Sequence, residues 1–535
     1  MTSQLKTDLL QQGYDLRETH ISWVFLDEAR VYKIKKPVDL GFLDFTTLAA
    51  RKRACQAELD LNRRLAAEVY LRLVAVYRDE HGTCRLALDA NAMLDDDAII
   101  DWAVEMVRLA DADSAEARVE RGALSAAEVR ALAQALAEFH DRCRCDEETT
   151  RFGSPEMIER NVEENFEQTR TSALKHLSPD QLQEIKRFQL GALRQREQDF
   201  LTRMAAGRIR DGHGDLRLEH VYYSDGSLQI IDCIEFNDRF RYGDVAADIA
   251  FLSMDLCFHR RPELAELLLA YYAEASQDYD LYRLVDFYLS YRAYVRAKVT
   301  AMLEDDPEQS GEVRQRLEQQ ARRYFLLAEA AGRPPLQPPF LLVIFGHIAA
   351  GKSTLAAQLG ETLTAPVLSS DRMRKHLSGV AATTSLGHAP YSGAYSQQQT
   401  QKVYARLVEA ARVVLSASRP AIIDATCSVR TERDQFVELA RACTVPVLFV
   451  ECSVPDALCR KRLQARAQGP TVSDGRLALL DRFMEHYEPP DELGPDLLLR
   501  LDTSVIDAQL LAAVRDHPGL SAKQDRAPVG QSQLP

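Results

Sequence analysis

An unbroken apolar run, Phe340 to Phe345, leads into Gly346-His347-Ile348-Ala349-Ala350-Gly351-Lys352-Ser353, and a helical stretch beginning Thr354-Leu355-Ala356-Ala357 follows. No other segment of the 535 residues restricts the fold as tightly. The octapeptide satisfies G-x-x-x-x-G-K-[ST], the phosphate-binding loop pattern, in the context that gives the pattern its meaning: a buried strand before it and a helix after it. Two glycines let successive backbone N–H groups turn inward around phosphate oxygens, and the helix N-terminus adds positive potential. In such a loop Lys352 reaches the β- and γ-phosphates of ATP and Ser353 ligates Mg²⁺; Gly346 through Thr354 form the nucleotide cradle.

The rest of this half supports a parallel sheet. Ala421-Ile422-Ile423 and Val445 to Val450 are further apolar runs, separated by helical stretches, a pattern of strands covered on both faces. In open sheets of this kind ligands meet the carboxyl ends of the strands. Val367 to Arg372 reads as the second strand and its exit, where Asp371 is either a proton acceptor for a substrate hydroxyl or a helix N-cap. Asp424, closing Ile422-Ile423-Asp424, is either a Mg²⁺ carboxylate or a turn residue. Arg462 and Arg466 lie four apart on one helix face, suited to transferring phosphate or to solvent. Arg372 and Arg374 follow Asp371 within a turn, and Arg430 and Arg433 follow Asp424-Ala425-Thr426. These four are expected to bind a small anionic acceptor through bidentate guanidinium contacts.

Arg333-Pro334-Pro335-Leu336-Gln337-Pro338-Pro339 cannot continue a helix and marks a linker. The expected organisation is therefore a first domain over 1–332, a linker over 333–339, a P-loop domain over 340–520 and a disordered polar tail over 521–535. In the first domain Val31 to Lys35 reads as a strand, and Ser125-Ala126-Ala127-Glu128 is a capping box opening an amphipathic helix. From about Tyr242 to Tyr324 the pattern is almost wholly helical. His213-Gly214-Asp215 lies in a loop before the strand Leu228 to Ile231, which ends in Asp232. Two aspartates so arranged suit phosphoryl transfer, the first orienting or deprotonating a hydroxyl and the second holding Mg²⁺. Lys33 and Lys35 share one strand face, and Glu58 on the next helix is a partner that keeps such a lysine ionised, or else forms a surface ion pair.

These residues carry two resemblances. Residues from about Phe340 to Pro518 resemble the AAA-type, zeta-toxin/gluconate-kinase-like branch of P-loop kinases, on Gly346 to Thr354, Asp371, Asp424, Arg430, Arg433, Arg462 and Arg466. The likeness implies that Asp371 faces the acceptor hydroxyl and that the arginine-bearing helix leads into a lid. Residues 20 to 325 resemble the aminoglycoside phosphotransferase family, a branch of the protein-kinase-like α+β fold. There His213-Gly214-Asp215 matches the catalytic loop, Ile231-Asp232 the metal-binding segment and Glu105-Met106 the adenine hinge. The chain departs from that family at His220, which stands where it has a metal-binding asparagine, and in lacking G-x-G-x-x-G before Lys33. The pairing of the two domains resembles bacterial bifunctional proteins.

The expectation is an ATP- and Mg²⁺-dependent kinase of a small hydroxylated metabolite, anionic if the four arginines line its site and not if two of them serve ATP or form surface ion pairs. The competing expectation is an ATP-binding regulatory protein whose first domain only senses ligand. A net charge of −14 without a long basic block argues against a nucleic-acid partner. A polar N-terminus and the lack of an apolar run of about 18–20 residues argue against a membrane and for a cytoplasmic, reduced-thiol protein.

Overall fold

The computed structural model describes residues 2–41, 43–89, 95–224, 226–307, 309–333, 338–384, 386, 393–466, 480 and 484–520. The expected tail, and residues 334–337 of the expected linker, lie outside them. The chain divides into two compact units, Met1–Ala265 with Phe287–Gly332, and Glu266–Asp286 with Arg333–Pro535. The first differs from the expected 1–332 domain by the excursion Glu266–Asp286.

After an opening helix, Thr2–Gln11, the first unit builds six antiparallel strands: β1 (Asp15–Glu18), β2 (Ser22–Leu26), β3 (Arg30–Lys35), β4 (Tyr70–Arg78), β5 (Cys84–Leu86) and β6 (Ile99–Val107), in the order β1-β2-β3-β6-β4-β5. The two-residue side-chain period of β3 divides its face. Tyr32 and Ile34 enter a core with Trp23, Phe25, Val74 and Val76. Lys33 and Lys35 point to the opposite face, toward the helix Leu48–Ala66 and its Glu58. That helix starts at Thr47, whose side chain accepts from the Ala50 N–H, and packs Cys55 and Leu59 on Val104 and Met106.

A helical lobe follows. The capping box at Ser125 is formed, opening the helix Ala126–Arg142. Short strands carry the loops of interest: β7 (Ile209–Asp211), β8 (Val221–Ser224), β9 (Ser227–Ile230) and β10 (Tyr242–Asp244), with β7 pairing β10 and β8 pairing β9. The helix Val245–Phe258 then runs almost wholly buried.

The second unit holds a parallel sheet of five strands, β11 (Leu341–Gly346), β12 (Val367–Ser369), β13 (Ala421–Asp424), β14 (Val447–Ser453) and β15 (Leu498–Asp502), ordered β12-β13-β11-β14-β15. Every residue of β11 and β13 is buried, as unbroken apolar runs require of central parallel strands. The helix Lys352–Thr362 packs Leu355, Ala356 and Leu359 against Leu342, Ile344, Ile422 and Leu448. Among the described residues, no helix is long and apolar enough to cross a membrane. All ten cysteines are free thiols.

Candidate functional site

Each unit carries its own cluster of charged groups. In the second, the loop after β11 is bent into a cradle by three positive-φ residues, Gly346 (130°), Ala349 (62°) and Gly351 (97°). A Cβ on Gly346 would lie 2.4 Å from the Cys452 carbonyl oxygen, so the loop leaves β11 where only glycine fits. Lys352 Nζ donates to the His347 carbonyl at 2.7 Å, lying back over the loop. Thr503, just past β15, donates from its hydroxyl to the Ala350 carbonyl and, at 3.1 Å, to that of Ser453. The His347 ring lies 4.4 Å from that of Tyr487, centroid to centroid.

Asp424 ends β13 one strand away. It is 6% exposed, and burial raises its pKa; Lys352 and the hydroxyls of Ser353 and Ser369, which hydrogen-bond it, work in the other direction. Asp371 is close enough to Asp424 to repel its charge. Ser369 pairs Asp424 in the β12–β13 register, and Asp371 is the second residue of the helix Ser370–Leu377, whose cap position belongs to Ser369. The structure thus brings Lys352, Ser353, Asp371 and Asp424 together from three strand ends. A buried carboxylate and a serine hydroxyl at the head of the loop helix make an all-oxygen pair of the kind a hard cation takes.

The arginines are differently placed. Arg462 Nη1 donates to the Ala349 carbonyl, and Nη2 to those of Thr503 and Ser504, all at 3.1 Å. It braces the phosphate loop against the end of β15, and so is not the solvated basic face that was the other expectation. The side chain of Arg466 lies outside the described residues. The expected anion site is not assembled. Arg433 is fully buried, bound to Glu492 at 2.5 Å and to the Cys427 carbonyl at 3.0 Å. Arg372 pairs with Glu274 at 3.1 Å, and Arg430, 63% exposed, with Asp434 of its own helix at 3.4 Å. Arg374 donates to the Ala394 carbonyl at 2.6 Å and lies over the Tyr395 ring. Spacing along the chain shows which arginines share a turn, but not which carboxylates reach them.

In the first unit, Lys33 Nζ bridges Glu58 Oε1 at 2.8 Å and Asp232 Oδ1 at 2.5 Å. Burial opposes its charge, but the two carboxylates outweigh burial and hold its pKa well above the usual lysine value. Lys35, fully buried, pairs with Glu58 Oε2 at 2.6 Å and Glu235 at 2.5 Å. The Lys33–Glu58 contact is therefore no exposed surface pair. Sequence reasoning missed Glu235; its signal is its place three residues after Asp232, in the segment facing β3.

The His213-Gly214-Asp215 segment is held by Asp248 from the helix Val245–Phe258, which accepts from the N–H groups of His213 (2.8 Å) and Gly214 (3.0 Å). Arg292 donates to the Gly214 carbonyl at 3.0 Å. His213 Nε2 donates to the Ile231 carbonyl at 2.9 Å and Nδ1 accepts from the Asp215 N–H at 3.3 Å, which fixes a neutral tautomer. Burial lowers its pKa to about 4. For Asp215 burial raises the pKa, but Arg217, His220 and Arg296 prevail and bring it to about 2. Arg217 Nη2 lies 3.2 Å from its carboxylate. Asp232 takes a positive φ of 66°, with its N–H donating to the Tyr70 hydroxyl at 3.2 Å, a strained backbone held by its surroundings. In the expected hinge, the Glu105 carboxylate pairs with Arg72 at 2.7 Å.

Comparison with known proteins adds to this geometry. A family model described as "Phosphotransferase enzyme family" matches residues 31–285, and one described as "AAA domain" matches residues 341–490. Uncharacterized proteins of Mycobacterium tuberculosis and Mycobacterium bovis are each 33% identical over 466 residues, covering 87% of this chain and 88% of theirs. Among solved structures, a putative kinase from Chloroflexus aurantiacus is 23% identical, with 34% of this chain and 99% of that one covered at a TM-score of 0.28. The APS kinase of Mycobacterium tuberculosis, solved with AMPPNP and APS, is 21% identical, with 34% and 98% covered and a TM-score of 0.26.

Proposed function

Because the chain belongs to the family of these mycobacterial proteins, and joins a phosphotransferase-family module to a P-loop kinase module, we propose that it is an ATP-dependent phosphotransferase acting on a small hydroxylated acceptor. The observation that carries the reading is the convergence of Lys352, Ser353, Asp424 and Asp371 at the ends of β11, β13 and β12. The inward-turned loop binds the phosphates and Lys352 places its charge on the β- and γ-phosphate oxygens. Ser353 and Asp424 would hold Mg²⁺, which when bound neutralises charge between those phosphates. In this reading Asp371 accepts the proton of the acceptor hydroxyl as its oxygen bonds to the γ-phosphorus and the bond from that phosphorus to the bridging oxygen of the leaving ADP breaks. Arg462 and Thr503 keep the loop in register with the sheet.

An anionic acceptor is not part of this proposal. Each of the four arginines on which that expectation rested is paired within the fold. The first unit is a second phosphotransferase site in the same reading, with Asp215 as the base and Asp232 as the metal carboxylate, Lys33 being held on the phosphate side by Glu58.

The test is ATP turnover by the full chain over a panel of hydroxylated metabolites, followed by mass spectrometry of the products. Loss of the second unit's share of acceptor-dependent ADP release in Lys352→Ala, with the second unit's ATP site lost and the first unit's kept, is the expected result. ATP binding without transfer to any acceptor would favour the regulatory reading. Unchanged ATP affinity in Lys352→Ala would refute the assignment of the loop.

A further inference from the structure

His220 occupies the place where the phosphotransferase-family pattern has a metal-binding asparagine, and its surroundings give the imidazole a direction. Nδ1 lies 2.8 Å from the Asp215 carbonyl oxygen. A carbonyl only accepts, so Nδ1 carries a proton, and the neutral ring has its lone pair on Nε2. Nε2 faces Asp232 Oδ2 at 3.6 Å, Glu219 Oε1 at 3.7 Å and Arg217 Nη2 at 3.3 Å. The other oxygen of Asp232 is held by Lys33 at 2.5 Å. An imidazole nitrogen and a carboxylate oxygen, each fixed by a partner on its far side, thus confront each other across 3.6 Å. One cation with bonds of about 2.1 Å to each spans such a gap.

Mg²⁺ fits this pair poorly, since it is a hard ion that keeps oxygen ligands. Transition ions take an imidazole nitrogen more readily than Mg²⁺ does, and Mn²⁺ is the one among them that shares the preference of Mg²⁺ for carboxylate and phosphate oxygens. We infer that the metal site of the first unit takes Mn²⁺ in preference to Mg²⁺, through His220 Nε2 and Asp232 Oδ2. The inference rests on the phosphotransferase reading only for the phosphate oxygens that complete the shell. Arg217 competes for the same lone pair, but it also contacts the carboxylates of Asp215 and Glu219, which keep it when a cation takes Nε2. The same atoms allow one rival, an imidazolium standing in for the cation as a fixed positive charge beside Asp232.

Pulsed electron paramagnetic resonance on the full chain, loaded with Mn²⁺ and a non-hydrolysable ATP analogue, separates the two. The expected wild-type signal includes ¹⁴N coupling from a directly bound imidazole. Ser353 and Asp424 in the second unit offer only oxygen and give no such coupling. In His220→Asn the coupling disappears, and the preference for Mn²⁺ over Mg²⁺ at this site falls by about tenfold or more. Should His220→Asn fail to fold, Asp232→Asn keeps the ring and nearly the same shape, and must also lose the coupling. No nitrogen coupling in the wild type, or coupling that survives either substitution, overturns the inference. Because metal binding is read without turnover, a chain that binds Mn²⁺ through His220 but phosphorylates nothing would sink the proposed activity and leave this site standing.

Discussion

His213 shows how far a single residue can be read from sequence. The motif His213-Gly214-Asp215 marks a loop, but not that the ring is buried and neutral, donating to Ile231 and accepting from Asp215. That burial has a measurable consequence. The native ring binds a proton only below about 4, the unfolded one below about 6.5. Between those values the unfolded state holds more protons, so stability rises with pH. The His213 contribution is therefore complete above pH 6.5 and lost as pH falls toward 4, worth about 3 kcal/mol at most. Its ¹³Cε1 resonance should not titrate above pH 5 in the folded chain; titration near 6.5 would contradict the buried assignment. Asp215→Asn tests the neighbouring role. It should cut phosphoryl transfer by the first unit by about 10²-fold or more with the fold retained, as measured by acceptor-dependent ADP release beside thermal melting. An unreduced rate would remove Asp215 from the chemistry. The arginines mark the limit of residue-scale reading: Arg433 and Arg462 are visible as charges on helices, but their partners, Glu492 and the carbonyls of Ala349, Thr503 and Ser504, come from distant segments.

At the scale of elements, the three central parallel strands, β13, β11 and β14, are legible as apolar runs, and the short edge strand β12 is legible from Val367-Leu368 ahead of Asp371. The fifth, β15, is an edge strand of five residues, half-exposed and interrupted by Arg500, and carries too little of that signal. The phosphate loop is legible for a different reason: its glycines are demanded by backbone geometry. In β11 Gly346 pairs with Cys452 of β14, and the Cys452 carbonyl lies 2.4 Å from where a Cβ would stand. The obstacle is backbone fixed in a strand ladder, so a methyl group there cannot be relieved by a rotamer change. Gly346→Ala should destabilise the second unit by at least about 2 kcal/mol and weaken ATP binding with it. Denaturant titration followed by nucleotide binding checks this, and a variant as stable as the wild type would mean the loop leaves β11 along another path.

At the scale of the whole molecule, the two-module reading holds while the boundary drawn at the prolines does not describe the compact units. The segment Glu266–Asp286 lies within the region that matches the phosphotransferase family, yet it groups with the second unit. No composition shift announces this, because the excursion continues the mostly buried helix Pro262–Ser276 and ends in a short helical turn, Tyr279–Arg283. Its contacts explain it. Arg419, 5% exposed, is bound by Glu266 at 2.8 Å and Asp286 at 2.7 Å. The Tyr279 hydroxyl donates to the Val367 carbonyl of the edge strand β12 at 3.0 Å. Glu274 holds Arg372, beside Asp371, and Arg283 reaches Glu409 at 3.0 Å. A fragment cut at the linker and spanning 338–520 lacks all of these partners at once. Breaking a buried ion pair on one side costs about 3–5 kcal/mol when the remaining charge stays buried, and less where water can reach it. The fragment should therefore melt well below the second unit of the full chain, and bind ATP less tightly because β12 and Asp371 lose their support. Full-length Arg419→Met should show a smaller loss of the same sign, since it removes the guanidinium but leaves Tyr279 and Glu274 in place. Differential scanning calorimetry with and without ATP compares the three proteins. A 338–520 fragment that melts and binds ATP like the full chain would show that the excursion is dispensable to the P-loop module.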